Sequence, residues 1–214
     1  MTARGWMVLG LVVAATGWWY SPLSPRIPAV AAAAPGFNLR CPLPPRTDSG
    51  RPPLQSPLPP ALSSFRLAAA ELRPLAGISV DARVLGRKDY AFGREADLSP
   101  TDLALGWGRM RDDAVLAHLS ISQSGRWYHY QWSGPAPLPP PEIAKSSANM
   151  HMIPSDAITA AALHHVRTGE QVRIDGWLVE ASAPDGWRWR SSLTRNDVGA
   201  GACEVVYVCA VTRF

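Results

Sequence analysis

The chain is poor in cysteine, with three in 214 residues: Cys41, Cys203 and Cys209. Three thiols do not make a disulfide scaffold. Cys203 and Cys209 fall on one predicted strand, and six residues at strand rise is roughly 20 Å, too far for them to bond to each other. They read as small buried thiols. The less favoured arrangement joins Cys41 to one of them through its flexible, proline-rich surroundings.

Metal-binding spacings are also missing. There is no paired C-x-x-C and no H-E-x-x-H. His164 and His165 are adjacent, so they point to different sides of their predicted helix. No metal and no cofactor is expected. The chain has no G-x-S-x-G elbow and no phosphate loop, which removes two common catalytic frameworks. Nor does the C-terminal part carry a charge surplus. Residues 1–60 hold Arg4, Arg26, Arg40, Arg46 and Arg51 against Asp48, which accounts for the whole net charge of +4. The remaining residues balance, with 21 − 5 = 16 basic and 17 − 1 = 16 acidic groups. A nucleic-acid partner is therefore not expected.

The longest uncharged apolar run, Trp6 to Tyr20, has fifteen residues. A membrane span usually needs about 20. Arg4 precedes the run, and Trp18, Trp19 and Tyr20 resemble an interfacial aromatic belt. Residues 1–23 are read as a signal anchor, with a cleaved signal peptide as the alternative. The anchor reading gives a single span in a bacterial inner membrane with the C-terminal domain outside the cytoplasm. The alternative is secretion after cleavage. Residues 24–60 form a proline-rich tether, read as a polyproline II spacer. Residues 61–214 form one globular domain, a comfortable size for a single core.

Within that domain, Ala61–Leu72 has helical propensity closed by Pro74. Ile78, Val80, Ala82 and Val84 alternate with polar residues and predict a strand. Ser99–Asp102 predicts a turn or helix start, and Arg111–His118 a short helix. Ile121–Trp132 reads as a strand pair around Ser124-Gly125. A loop containing His151 precedes a helix capped by Ser155 or Asp156. Gln171–Glu180 and Trp187–Thr194 predict a hairpin, and Cys203–Val211 a central strand. The sum is α+β: a small curled antiparallel sheet or partly open β-barrel with a few short helices.

The blocks LSPTDLALGWGRM (Leu98–Met110), ISQSGRWYHYQW (Ile121–Trp132), SSANMHMIP (Ser146–Pro154) and WRWRSSLTRNDVGAGACEVVYV (Trp187–Val208) resemble a family of uncharacterised bacterial envelope proteins with an N-terminal hydrophobic segment. The resemblance covers about residues 75–208. It implies an envelope location and this domain extent, and no activity.

Chemistry-bearing residues are few. His151, beside Asn149, has the character of a general base or of a histidine satisfied by backbone groups. Arg190, Ser192 and Thr194 share one strand face, with Leu193 marking the core side. With Arg195 and Asp197 they suit an anionic or sugar ligand, or else a structural turn. Cys203 and Glu204 open the last strand, and a thiol with a histidine is the minimum for a Cys–His nucleophile. Among Trp107, Trp127, Tyr128, Tyr130, Trp132, Trp177, Trp187 and Trp189, period-2 spacing puts Tyr128, Tyr130 and Trp132 on one face and Trp187 and Trp189 on one face. Such stripes are expected in the core, or as a glycan or peptide platform if exposed.

Two functions follow as expectations. The first is a non-enzymatic, membrane-tethered periplasmic or extracytoplasmic binding module. Its N-terminal segment engages the membrane, and its partner is an envelope protein or cell-wall component. The second is an envelope hydrolase using His151 with Cys203, Asp197 or Glu204. Convergence of these side chains in one cleft separates the two.

Overall fold

The computed structural model describes residues 3–19, 41–194 and 203–214. Helix α1 (Ala3–Trp19) covers most of the apolar run. Among the described residues no helix is long and apolar enough to cross a membrane.

The fold is α+β, built on one long strand. Strand β3 (Glu71–Asp89) contains the alternation Ile78, Val80, Ala82, Val84, all buried. Its second half pairs with β4 (Thr101–Gly106), and its first half with β8 (Gln171–Ser182). Strand β7 (Ser147–Pro154) pairs with β4. The last strand, β10 (Glu204–Arg213), lies parallel to β7 and antiparallel to β8. The hydrogen bonds thus run β3–β4–β7–β10–β8 and back to β3. The five strands form a ring, curled as the sequence suggested, with one parallel pairing.

Alternation assigns each face of these strands. Ile78, Val80, Ala82 and Val84 of β3, the even-numbered apolar residues of β7, Val172, Ile174 and Leu178 of β8, and Val206 and Val208 of β10 join Leu103 and Leu105 in one aliphatic core. Leu72, before the register shift in β3, faces the other way. Helix α2 (Ala157–His165), whose Thr159 N–H donates to the Asp156 side chain at 2.7 Å, adds Leu163 to the core. Gly176 allows β8 and β10 to approach closely. A Cβ there would collide with the Tyr207 carbonyl and lie 3.1 Å from the Val208 Cα. Neither backbone can yield without breaking the ring. Gly176→Ala is expected to lower stability by about 1–3 kcal/mol or more, measured by urea unfolding of the full chain.

Three coverings close the opposite face. One is the chain from Cys41 onward. The sequence reading carries the spacer through Pro60, but from Cys41 the chain lies on the sheet. Cys41 is disulfide-bonded to Cys209, with Cα atoms 5.3 Å apart. The expectation of two small buried thiols on the last strand fails for Cys209, and the less favoured arrangement, Cys41 joined to one of the two, is the one found. Trp177 Nε1 donates to the Pro42 carbonyl at 2.9 Å, and Arg46 Nε stands 2.9 Å from buried Asp175. Ser49 donates to buried Asp81. β1 (Leu54–Ser56) pairs with residues 77–79 of β3, protecting a length of its edge.

The second covering is the segment expected as a helix over 61–72. It instead forms β2 (Phe65–Arg66), which turns back onto the start of β3. Phe65, Leu67 and Leu72 are buried against Trp177, Val179 and Tyr207. That burial outweighs the helical propensity of the alanines. β9 (Arg188–Arg190) lies beside β8 in the same region. The third covering is a separate hairpin, β5 (Ser120–Ser124) and β6 (Trp127–Gln131), which lies over Leu85, Ala104 and Met110.

Three smaller expectations also change. Thr101-Asp102 begin a fully buried strand rather than a turn or helix. His151 lies inside buried β7, not in a loop. Leu193 is exposed, while Ser191 and Ser192 are buried, because β9 ends at Arg190 and strand parity does not extend past it.

Candidate functional site

A buried polar cluster sits on the outer face of β4 and β7. Asp102 and His151 are register partners on neighbouring strands, so their side chains leave the sheet together. Both are buried, at 0% and 2% exposure. His151 Nδ1 stands 2.9 Å from Asp102 Oδ1. The pair is within ion-pair distance, although the ring nitrogen is not aligned on the oxygen as a hydrogen bond. Asn149, one step along the same face, donates to Asp102 Oδ2 at 3.3 Å.

The centre of the cluster is a residue the sequence reading did not single out. Arg126 occupies the turn of the β5–β6 hairpin with φ 71°, next to Gly125 at φ 56°. Positive φ at both central residues is the pattern that suits a two-residue hairpin, yet it is strained for a non-glycine side chain. Contacts hold Arg126 there. Its Nη1 donates to Asp102 Oδ1 at 2.7 Å and to the Ser99 carbonyl at 2.9 Å. Its guanidinium lies 3.8 Å from the Tyr90 ring centroid and 5.5 Å from that of Trp189. Its N–H donates to the Tyr90 hydroxyl, and its carbonyl accepts from Asn149 at 3.0 Å. Burial, followed by the charge of Asp102, raises the Tyr90 hydroxyl above its ordinary pKa.

Aromatic rings roof the cluster. Trp189 packs 4.7 Å from the His151 ring, and Trp187 lies 6.3 Å from Trp189. Arg94, paired with Asp185, lies over Trp187 at 5.3 Å. These contacts run in series from Arg94 through Trp187 and Trp189 to Arg126 and Tyr90, with a guanidinium set against a ring at each end.

The predicted site residues divide around this cluster. Asn149 and His151 belong to it. Cys203 reaches its edge, with Sγ 4.0 Å from the Arg126 carbonyl that also accepts from Asn149. Glu204 does not converge. It pairs in register with Met150, so it shares the face of Met150 and Val206, opposite to His151. Arg190 turns to Glu180, whose carboxyl is held below the usual carboxylate range first by the Arg190 hydrogen bond and also by Arg73. Ser192 and Thr194 bond to each other: Ser192 Oγ donates to the Thr194 carbonyl and accepts from its N–H. Arg195 and Asp197 lie outside the described residues. Among the described residues no group of three or more His, Cys, Asp or Glu is placed to hold a metal.

Asp102 carried a signal that sequence reading can use. A lone acid within the buried run Thr101–Gly106 must find a partner, because an isolated buried charge is costly. Arg126 carried a weaker one: a Gly-Arg turn where Asn-Gly is the common choice.

No family model, curated protein or solved structure matches the chain.

Proposed function

We propose that this protein is a non-enzymatic binding module held outside the cytoplasm. Its N-terminal segment lies in a bacterial inner membrane, and its folded domain faces an envelope protein or a cell-wall component. The observation that carries the non-enzymatic reading is the state of the polar cluster. Asp102, Arg126 and Asn149 are bonded to one another, and His151 is packed between Asp102 and Trp189. Such a network fixes the surface loops and the hairpin in place. The Cys41–Cys209 bridge supports the location, since stable disulfides belong to oxidising compartments.

The strand circuit agrees with a binding role. Counted within the ring, the strands run first, second, third, fifth, fourth and back to the first. Third and fifth are parallel, and α2 lies between third and fourth. This is the connectivity of the five-stranded oligosaccharide- and oligonucleotide-binding folds, which bind ligands on the outer face of the second and third strands. Here that face carries the polar cluster, and the hairpin tip fills it. A likeness of connectivity is an analogy and assigns no ligand by itself.

The hydrolase reading keeps one favourable observation, the approach of His151 to Asp102 with Cys203 at the cluster's edge. A deletion strain with a measurable phenotype separates the two. Plasmid copies carrying Cys203→Ser or His151→Gln, at wild-type abundance, are expected to restore the phenotype fully. Loss of complementation by an abundant Cys203→Ser protein would sink the binding-module reading in favour of thiol chemistry. Alkaline phosphatase fused to the C-terminus is expected to be active; an inactive, stable fusion would place the domain inside.

A further inference from the structure

The β5–β6 hairpin has two unlike faces. One anchors it. Ile121, Tyr128 and Tyr130 pack on the Leu85–Met110 cluster, and the Gln123 amide donates to Asn149 Oδ1 at 2.7 Å. The Tyr128 hydroxyl bonds Ser147 Oγ at 3.2 Å, and burial pushes that hydroxyl up to about 12, so it stays a neutral donor. With the Arg126 tip fixed as well, the hairpin is held at its middle and its end.

The other face is exposed and unusual in composition. Cross-strand pairs are Ser124 with Trp127, Ser122 with His129, and Ser120 with Gln131, all solvent-exposed. The face carries no Lys, Arg, Asp or Glu. Its one large apolar group is Trp127, 39% exposed. At the far end an open cavity of about 400 Å³ continues the strip, lined by His118, Ser120, Gln131 and Trp132 among others. Five residues of strand give a strip roughly 14 Å long.

We propose that this strip and cavity bind an uncharged, extended oligosaccharide. The inference rests on the binding-module reading and names the ligand class. The chemistry selects it. A sugar ring offers an apolar C–H face to an indole and equatorial hydroxyls to hydroxyl, amide and imidazole side chains. Polyanions need the basic groups this face lacks. A strand-adding peptide needs an open edge, whereas this is a side-chain face. The anchored inner face keeps the strip rigid before a ligand arrives, which lowers the ordering cost of binding.

The test is calorimetric titration of the full-length protein in lipid nanodiscs with cellotetraose, chitotetraose and polygalacturonate. At least one uncharged tetrasaccharide is expected to bind. Trp127→Ala is expected to weaken it about tenfold or more, equivalent to about 1.4 kcal/mol, and Gln131→Ala also to weaken it, with unfolding midpoints unchanged. Binding that ignores both substitutions overturns the assignment to this face. Binding of polygalacturonate alone, lost in Trp127→Ala, overturns the uncharged class while the binding-module reading survives. No binding by any of the three overturns the oligosaccharide proposal, and the complementation and fusion results then decide the module reading separately.

Discussion

Cys41→Ser is expected to lower the unfolding free energy by about 2–5 kcal/mol. The bridge joins positions 168 residues apart, so it constrains nearly the whole folded chain. A loop of that size lies at the upper end of the chain-entropy effect. The native state loses support as well. Cys41 is followed directly by Pro42, whose carbonyl accepts from Trp177, and by Arg46, which faces Asp175. Asp175 is fully buried and Asp81 nearly so, and both draw partners from this covering segment. Releasing its first residue loosens Arg46, the cation beside Asp175, and Ser49, the hydroxyl donor to Asp81. Urea unfolding of wild type with and without dithiothreitol measures the effect. Reduced wild type should match Cys41→Ser. Cys203→Ser should respond to reductant as wild type does, since Cys203 takes no part in the bridge. A reductant-independent midpoint would remove the bridge from the account of stability.

Asp102→Leu is expected to cost about 3–5 kcal/mol, because it leaves the Arg126 guanidinium without its carboxylate. Asp102 is fully buried and the Arg126 side chain is 18% exposed, so water recovers little of the loss. The same carboxylate also faces His151 and Asn149. The double substitution Asp102→Leu with Arg126→Leu is expected to be less destabilised than Asp102→Leu alone, since both charges leave together. The interaction term from that cycle should exceed about 1 kcal/mol, the range of contacting groups in one network. Strict additivity would show that the two side chains do not support each other.

Period-2 patterns carried much of the fold. Ile78–Val84, Gln171–Glu180 and the last strand stand where their alternation or apolar run placed them. The hairpin around Gly125 and the helix capped by Asp156 also formed, because their turn and cap chemistry is local. Ala61–Leu72 was misread because its alanines favour helix locally while Phe65 and Leu67 are buried by distant strands. The β7 strand was hidden by its own polar residues. Asn149 and His151 look like loop residues until Asp102 and Arg126 are seen to bond Asn149, and Asp102 to stand beside His151. That pairing spans 24 residues between Asp102 and Arg126, and no local rule reports it. The disulfide was similarly concealed, because Cys41 sits among prolines that read as a spacer.

The bridge is also where location and fold meet. Cells grown to mid-log phase can be quenched in acid, alkylated, and the purified protein mapped by mass spectrometry without reduction. A Cys41–Cys209 linked peptide pair is expected in membrane-derived material, with Cys203 alkylated. Alkylation of both Cys41 and Cys209 in most of the folded protein would contradict it, because the domain would then reside where thiols stay reduced.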